Sequence, residues 1–144
     1  MVAVLVVDAS VALKWLLPEP DSEAALDLIG RAVLAAPEMM VVEVANALST
    51  RIRRRELTPL EARTSLADLH AIHVDYAADR ELASAALSLA ADLGHPVHDC
   101  LYLALAIDRA AMVVTADPRF VSAVDAHPYL AGRVKLVHDL PGVS

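Results

Sequence analysis

Cysteine is almost missing: Cys100 is the only one in 144 residues, which excludes an internal disulfide and a thiolate metal cage. Aromatic residues make up only 3% of a chain that is 57% hydrophobic, much of it alanine. That balance suits helices packed through small side chains and excludes a disordered chain. Four glycines supply neither a P-loop nor a G-x-G-x-x-G turn, so a nucleotide cofactor is not expected. No G-x-S-x-G elbow marks a serine hydrolase. No apolar run reaches the roughly 18 residues of a membrane span. No basic start or small-residue cleavage site precedes Asp8, the first charge, so a reducing cytoplasm is the expected compartment. Positive charge is in the minority, at a net −7, which argues against a broad basic surface for nucleic acid. That argument weakens if some acids gather around a cation, which reverses the local sign.

What is present reads as one domain over residues 1–144, long enough for a sizeable core. "VAVLVVD" (2–8), "RAVLAAP" (31–37) and "AMVVTAD" (111–117) are short apolar runs bounded by charge or proline, as buried strands are. "AIHVDYA" (71–77) and "RVKLVHD" (133–139) alternate like edge strands. Helical patterns lie between them. "SVALKWLL" follows the first strand, and "DSEAALDLIG" has an acidic start and a terminal glycine. "TPLE" (58–61) is a capping box with proline at the first helical position. "DRELASAALSLAADLG" (79–94) is a long amphipathic helix, and "HDCLYLALAIDRAA" (98–111) is apolar on nearly every face, as a central buried helix would be. Strands alternating with helices predict an α/β sandwich around a mostly parallel sheet of four to five strands. Ligand chemistry in such sheets gathers beyond the carboxyl ends of the strands, where Asp8 and Asp117 fall.

Most of the 19 acids sit at helix starts or on polar faces; four do not. Asp8 ends an apolar strand, and Asp117 ends another, although either is also placed to cap the following helix. Asp99 opens the buried helix, where a first-turn acid is common. In "PEMMVVEVANALSTRIRRRE", Val41, Ala45, Leu48 and Ile52 form an apolar stripe, and Glu43 points nearly opposite, among Met39, Met40 and Ala47. An exposed glutamate remains open there. Taken together, four converging carboxylates repel one another unless a cation joins them. Mg²⁺ or Mn²⁺ suits all-oxygen donors, and Ser10, Asn46 and Thr115 are neutral groups placed to hold a water or a phosphate oxygen.

The segments "VVDASVALKWLLPE", "PEMMVVEVANAL", "HDCLYLALA" and "VVTADPRF", in this order and spacing, resemble the PIN-domain ribonucleases, in particular the VapC toxins of bacterial toxin–antitoxin modules. The resemblance covers almost the whole chain and implies a PIN-like α/β/α sandwich. It also implies that Asp8, Glu43, Asp99 and Asp117 bind Mg²⁺ or Mn²⁺, with Ser10, Asn46 and Thr115 at accessory polar positions and Phe120 as a packing aromatic. The activity implied is endoribonuclease hydrolysis of RNA by a metal-activated water, leaving 5′-phosphate and 3′-hydroxyl ends. A homodimer and a cognate antitoxin, whose extended segment covers the acidic groove, are the implied partners.

Other features carry less. The cluster "RIRRRE" places Arg51, Arg54 and Arg55 on one helical face, either as a solvated helix end or as RNA-backbone contacts. Lys14 and Arg119, close in sequence to the acids, are alternative phosphate contacts. His95 and His98 read as loop histidines, because Pro96 spoils their spacing for zinc, and no histidine pair points to metal-free cleavage. Trp15 reads as a core or interface anchor, and Cys100 as buried filler. Two other functions fit the same residues: a non-catalytic α/β module binding metal or a basic partner, and a metal-dependent DNase. A receiver-like domain would want an adjacent acidic pair, which Asp8-Ala9-Ser10 does not supply.

Overall fold

Five strands lie side by side, each parallel to its neighbour, in the order β3-β2-β1-β4-β5. They are Val4–Val7 (β1), Val33–Pro37 (β2), Asp75–Ala77 (β3), Met112–Thr115 (β4) and Val134–Leu136 (β5). A computed structural model describes residues 3–140. Within them seven α-helices flank the sheet: Ala9–Leu16 (α1), Ser22–Leu26 (α2), Met39–Arg53 (α3), Pro59–Ala71 (α4), Asp79–Leu93 (α5), Val97–Asp108 (α6) and Pro118–Asp125 (α7). The α/β/α sandwich expected from the sequence is therefore present, and its sheet is wholly parallel. Both runs with edge-like alternation, at β3 and β5, do occupy the edges. Parallel strands buried on both faces need continuous apolar sequence, and Leu5–Val7, Leu34–Ala36 and Val113–Val114 supply it.

The chain leaves β1 toward β2 on one side and later returns to place β4 on the other. The gap beyond the carboxyl ends of β1 and β4 is thus the point where the strand order reverses, the usual ligand crevice of an open parallel sheet. Helix α6 packs against β1, β2 and β4 as well as against α5, and Cys100–Ala106 is buried throughout. Its all-round apolarity has this cause. Helix α1 packs with α2, α3 and α4 and also against β4.

Local signals set the helix limits. Thr58 and Glu61 form the reciprocal capping box ahead of Pro59. Gly94 ends α5 in the left-handed conformation at φ 62°, which carries the chain round toward α6. Trp15 is a core residue whose indole donates to the Ala25 carbonyl at 2.8 Å.

Three expectations need correction. The helix predicted over "DSEAALDLIG" stops at Leu26, four residues before Gly30, because residues 27–32 turn and form an isolated bridge between Ile29 and Ala32. The fully buried stripe of α3 is Met40, Val44 and Leu48, while Val41, Ala45 and Ile52 lie on its flank. Rotation of the stripe toward Met40 puts Glu43 beside the core. Finally, α3 ends at Arg53, and Arg55 adopts φ 60°, so Arg51, Arg54 and Arg55 do not share a helical face.

Candidate active site

Two parallel strands stop in register. Val7 of β1 pairs with Val114 of β4, so the residues that follow, Asp8 and Thr115, adjoin at the strand ends. The Thr115 hydroxyl donates to Asp8 Oδ2, and Ser10 donates to Asp8 Oδ1 at 2.5 Å. The Val11 N–H donates to the same Oδ1 at 3.2 Å, so Asp8 also caps α1. Ser10 in turn accepts the Ala116 N–H at 2.9 Å, which ties the start of α1 to the turn after β4. Asp8 is 9% exposed and Thr115 fully buried. Burial pushes the Asp8 carboxyl from its ordinary 3.8 up to about 6, and the charge of Asp99 adds to the rise. The hydrogen bonds from Ser10, Thr115 and Val11 oppose it.

A cavity of about 160 Å³ opens over Asp8, lined by Asp8, Ala9, Ser10, Glu43, Asp99, Tyr102 and Asp117. All four acids singled out in the sequence reach it, each from a different element. Glu43 enters from α3, where burial raises its pKa and the negative Asp99 and Asp79 add to the rise. Tyr102 and His98 act against that rise. Asp99 stands in the first turn of α6. Asp117 precedes α7 and caps it by accepting the Arg119 N–H at 2.9 Å. For Asp8 and Asp117, capping and facing the cavity are compatible, because a carboxylate has two oxygens.

The accessory residues divide. Ser10 and Thr115 belong to the site, through Asp8. Asn46, one turn beyond Glu43, is exposed and does not line the cavity. Phe120 is buried in the core with its ring stacked on His95, the centroids 5.1 Å apart.

Among the described residues no lysine or arginine lines the cavity. Arg119 stands at its rim, 93% exposed, with Nε 3.8 Å from Asp117. Lys14 turns inward instead, bonded to the Pro20 carbonyl at 2.6 Å and paired with Glu19 at 3.7 Å. Arg51 is paired with Glu19 and Glu56, so neither cation is presented for phosphate contact. Arg54 and Arg55 are exposed.

The donor set decides what cation fits. Oxygen atoms dominate the polar lining, and the only thiol nearby, Cys100, is buried and pushed up to about 11. Among the described residues no three His, Cys, Asp or Glu side chains approach closely enough to enclose an ion. The acids line an open cavity without closing into a cage. That arrangement suits Mg²⁺ or Mn²⁺, which favour oxygen and retain water, better than a closed zinc site.

A family model described as PIN domain matches residues 5–125. The chain belongs to the PIN domain family. PIN domains are generally nucleases. Among solved structures, this PIN domain is similar to PAE2754 from Pyrobaculum aerophilum, with a TM-score of 0.70 and 18% identity, over 96% of this chain and 93% of that one. It is also similar to VapBC2 from Rickettsia felis, solved bound to a DNA fragment from their promoter, with a TM-score of 0.60 and 13% identity, over 92% of this chain and 98% of that one. At such identities the likeness is one of fold. A search of curated proteins returned no match.

Two side chains bonded to the cavity's acids were not singled out in the sequence. Tyr102 donates its hydroxyl to Glu43 Oε1. It was hidden in an apolar helix, yet it stands three residues after Asp99, on the same helical face. His95 contacts Asp99 Oδ2 through Nε2 at 2.7 Å. An ionised carboxylate only accepts, so this nitrogen is the donor. His95 lies in the connection before α6, as expected of a loop histidine, whereas His98 lies within α6.

Proposed function

We propose that this PIN domain is a Mg²⁺- or Mn²⁺-dependent endoribonuclease that acts in the cytoplasm as the toxin of a type II toxin–antitoxin pair. One observation carries the reading. Asp8, Glu43, Asp99 and Asp117 line a single cavity at the reversal point of the sheet, with no lysine or arginine among the described residues of its walls. Burial, with a smaller contribution from neighbouring carboxylates, raises Asp8 and Glu43, and a divalent cation would relieve that cost. A bound cation would polarise the phosphodiester and lower the pKa of the attacking water.

The chain's own groups supply order. Ser10 and Thr115 hold the two oxygens of Asp8, Tyr102 holds Glu43, and His95 holds Asp99. A ligand set held in this way loses little freedom on capturing an ion. Arg119, exposed beside Asp117, is a cation available to an RNA backbone, and Arg54 and Arg55 are exposed as well. RNA as substrate follows from the resemblance of the four segments to VapC toxins. The same resemblance supports a homodimer and an antitoxin whose extended segment covers the groove. A basic side chain from that partner would suit the acidic walls.

Cleavage of a mixed RNA pool, with and without Mg²⁺ or Mn²⁺, tests the proposal beside Asp8→Asn and Asp99→Asn. Cleavage should require the cation, and each variant should lose about a hundredfold or more, equivalent to ~3 kcal/mol of barrier. Metal-independent cleavage, or full activity in both folded variants, would overturn it. Cleavage of single-stranded DNA but not RNA would move the substrate to DNA. Tight metal binding without cleavage of either nucleic acid would indicate a binding module.

A further inference from the structure

Tyr102 occupies an unusual position for a residue in an apolar helix. Its ring is 1% exposed and packed in the core, while its hydroxyl forms part of the wall of the acidic cavity. Its hydroxyl proton goes to Glu43 Oε1. Tyr102 therefore links α6, which also carries Asp99, to α3, which carries Glu43. Among the described residues Glu43 has no other hydrogen bond, so Oε2 is left unengaged.

We propose that Tyr102 is a positioning residue, whose hydroxyl, carried on the buried α6, holds Glu43 in one orientation and leaves Oε2 to a divalent cation. The inference rests on reading the cavity as a metal site, and it adds a dependence on a residue that touches neither metal nor RNA. Without the hydroxyl, the glutamate regains its side-chain torsions, and every capture of an ion must order them again.

Tyr102→Phe keeps the ring and removes only the hydroxyl. Mn²⁺ binding, followed by the loss of the free-ion electron paramagnetic resonance signal, should weaken about tenfold in this variant. In a Glu43→Gln background the same change should alter affinity less than about twofold, because the group being positioned has already been changed. Equal losses in both backgrounds would show a merely structural role and overturn the proposal, as would unchanged affinity in Tyr102→Phe. If the unaltered protein binds no Mn²⁺, the metal reading itself falls, and this inference with it. Should Tyr102→Phe fail to fold, ¹³C NMR of the unaltered protein decides. Adding Mg²⁺ should shift the Tyr102 Cζ resonance more than those of Tyr76 and Tyr129, and an unmoved Tyr102 signal would overturn the proposal.

Discussion

Asp8 joins two roles in one carboxylate. Oδ1 accepts from Ser10 and from the Val11 N–H as the cap of α1, while Oδ2 takes the Thr115 hydroxyl at the end of the neighbouring strand. Three donors do not compensate for its burial, because the carboxyl still rises from 3.8 to about 6. The sign of the consequence follows. A carboxyl whose folded pKa exceeds its unfolded value favours the fold in its protonated form. That contribution is complete below pH ~4 and is lost as pH rises through about 6. In EDTA, Asp8→Asn should therefore be more stable than the unaltered protein at pH 7, on the order of 1–3 kcal/mol by urea denaturation. The difference should vanish below pH ~4. A variant less stable at pH 7 would mean that the three hydrogen bonds outweigh burial. The same substitution is expected to abolish cleavage, so stability and activity should move in opposite directions, as functional sites often require.

Among the elements, the turn between α5 and α6 delivers two members of the site. Gly94 at φ 62° reverses the chain, His95 follows at once, and Asp99 lies in the first turn of α6. A Cβ built on Gly94 meets no atom within 4 Å, so the cost of Gly94→Ala is backbone strain alone. The loss should be about 1 kcal/mol in a denaturant titration. A neutral result would mean that the turn relaxes out of the left-handed region. Element identity was legible in the sequence because caps and apolar periods are local. Thr58-Pro59-Leu60-Glu61 and Gly94 mark their helix ends in the structure as they do in the sequence. Rotation about a helix axis was less legible. The sequence placed the stripe of α3 on Val41, Ala45, Leu48 and Ile52, and packing against α1, α4 and β2 moved it to Met40, Val44 and Leu48.

At the scale of the molecule, Asp8 and three acids 35 to 109 residues farther along the sequence come together because the sheet is parallel. Parallel strands all end on the same side, so residues just beyond β1 and β4 share one edge, and α3 and α6 begin or pass there. If that edge binds a divalent cation, the whole fold should gain stability by mass action. Mn²⁺ at a hundred times its dissociation constant adds ~2.7 kcal/mol, which should raise the melting temperature by roughly 5–10 °C. Asp99→Asn should lose most of that rise. An unchanged melting temperature in the unaltered protein, at millimolar Mn²⁺, would count against a metal at this edge. Among the described residues no helix is long and apolar enough to cross a membrane.

The sequence by itself determined the order of strands and helices, the helix ends at Thr58 and Gly94, and which four acids reach the cavity. Each depends on residue type and on spacing within a few positions, and those properties are complete in one dimension. Only the tertiary structure decided which polar groups serve those acids. Tyr102 and His95 reach Glu43 and Asp99, whereas Asn46 stays outside the cavity. Lys14 turns away to Pro20 and Glu19, and Arg51 is taken by Glu19 and Glu56. A long side chain goes where its charge or its hydrogen bond is best satisfied. That partner is set by which elements pack together, and nearness in sequence to an acid such as Asp8 does not reveal it.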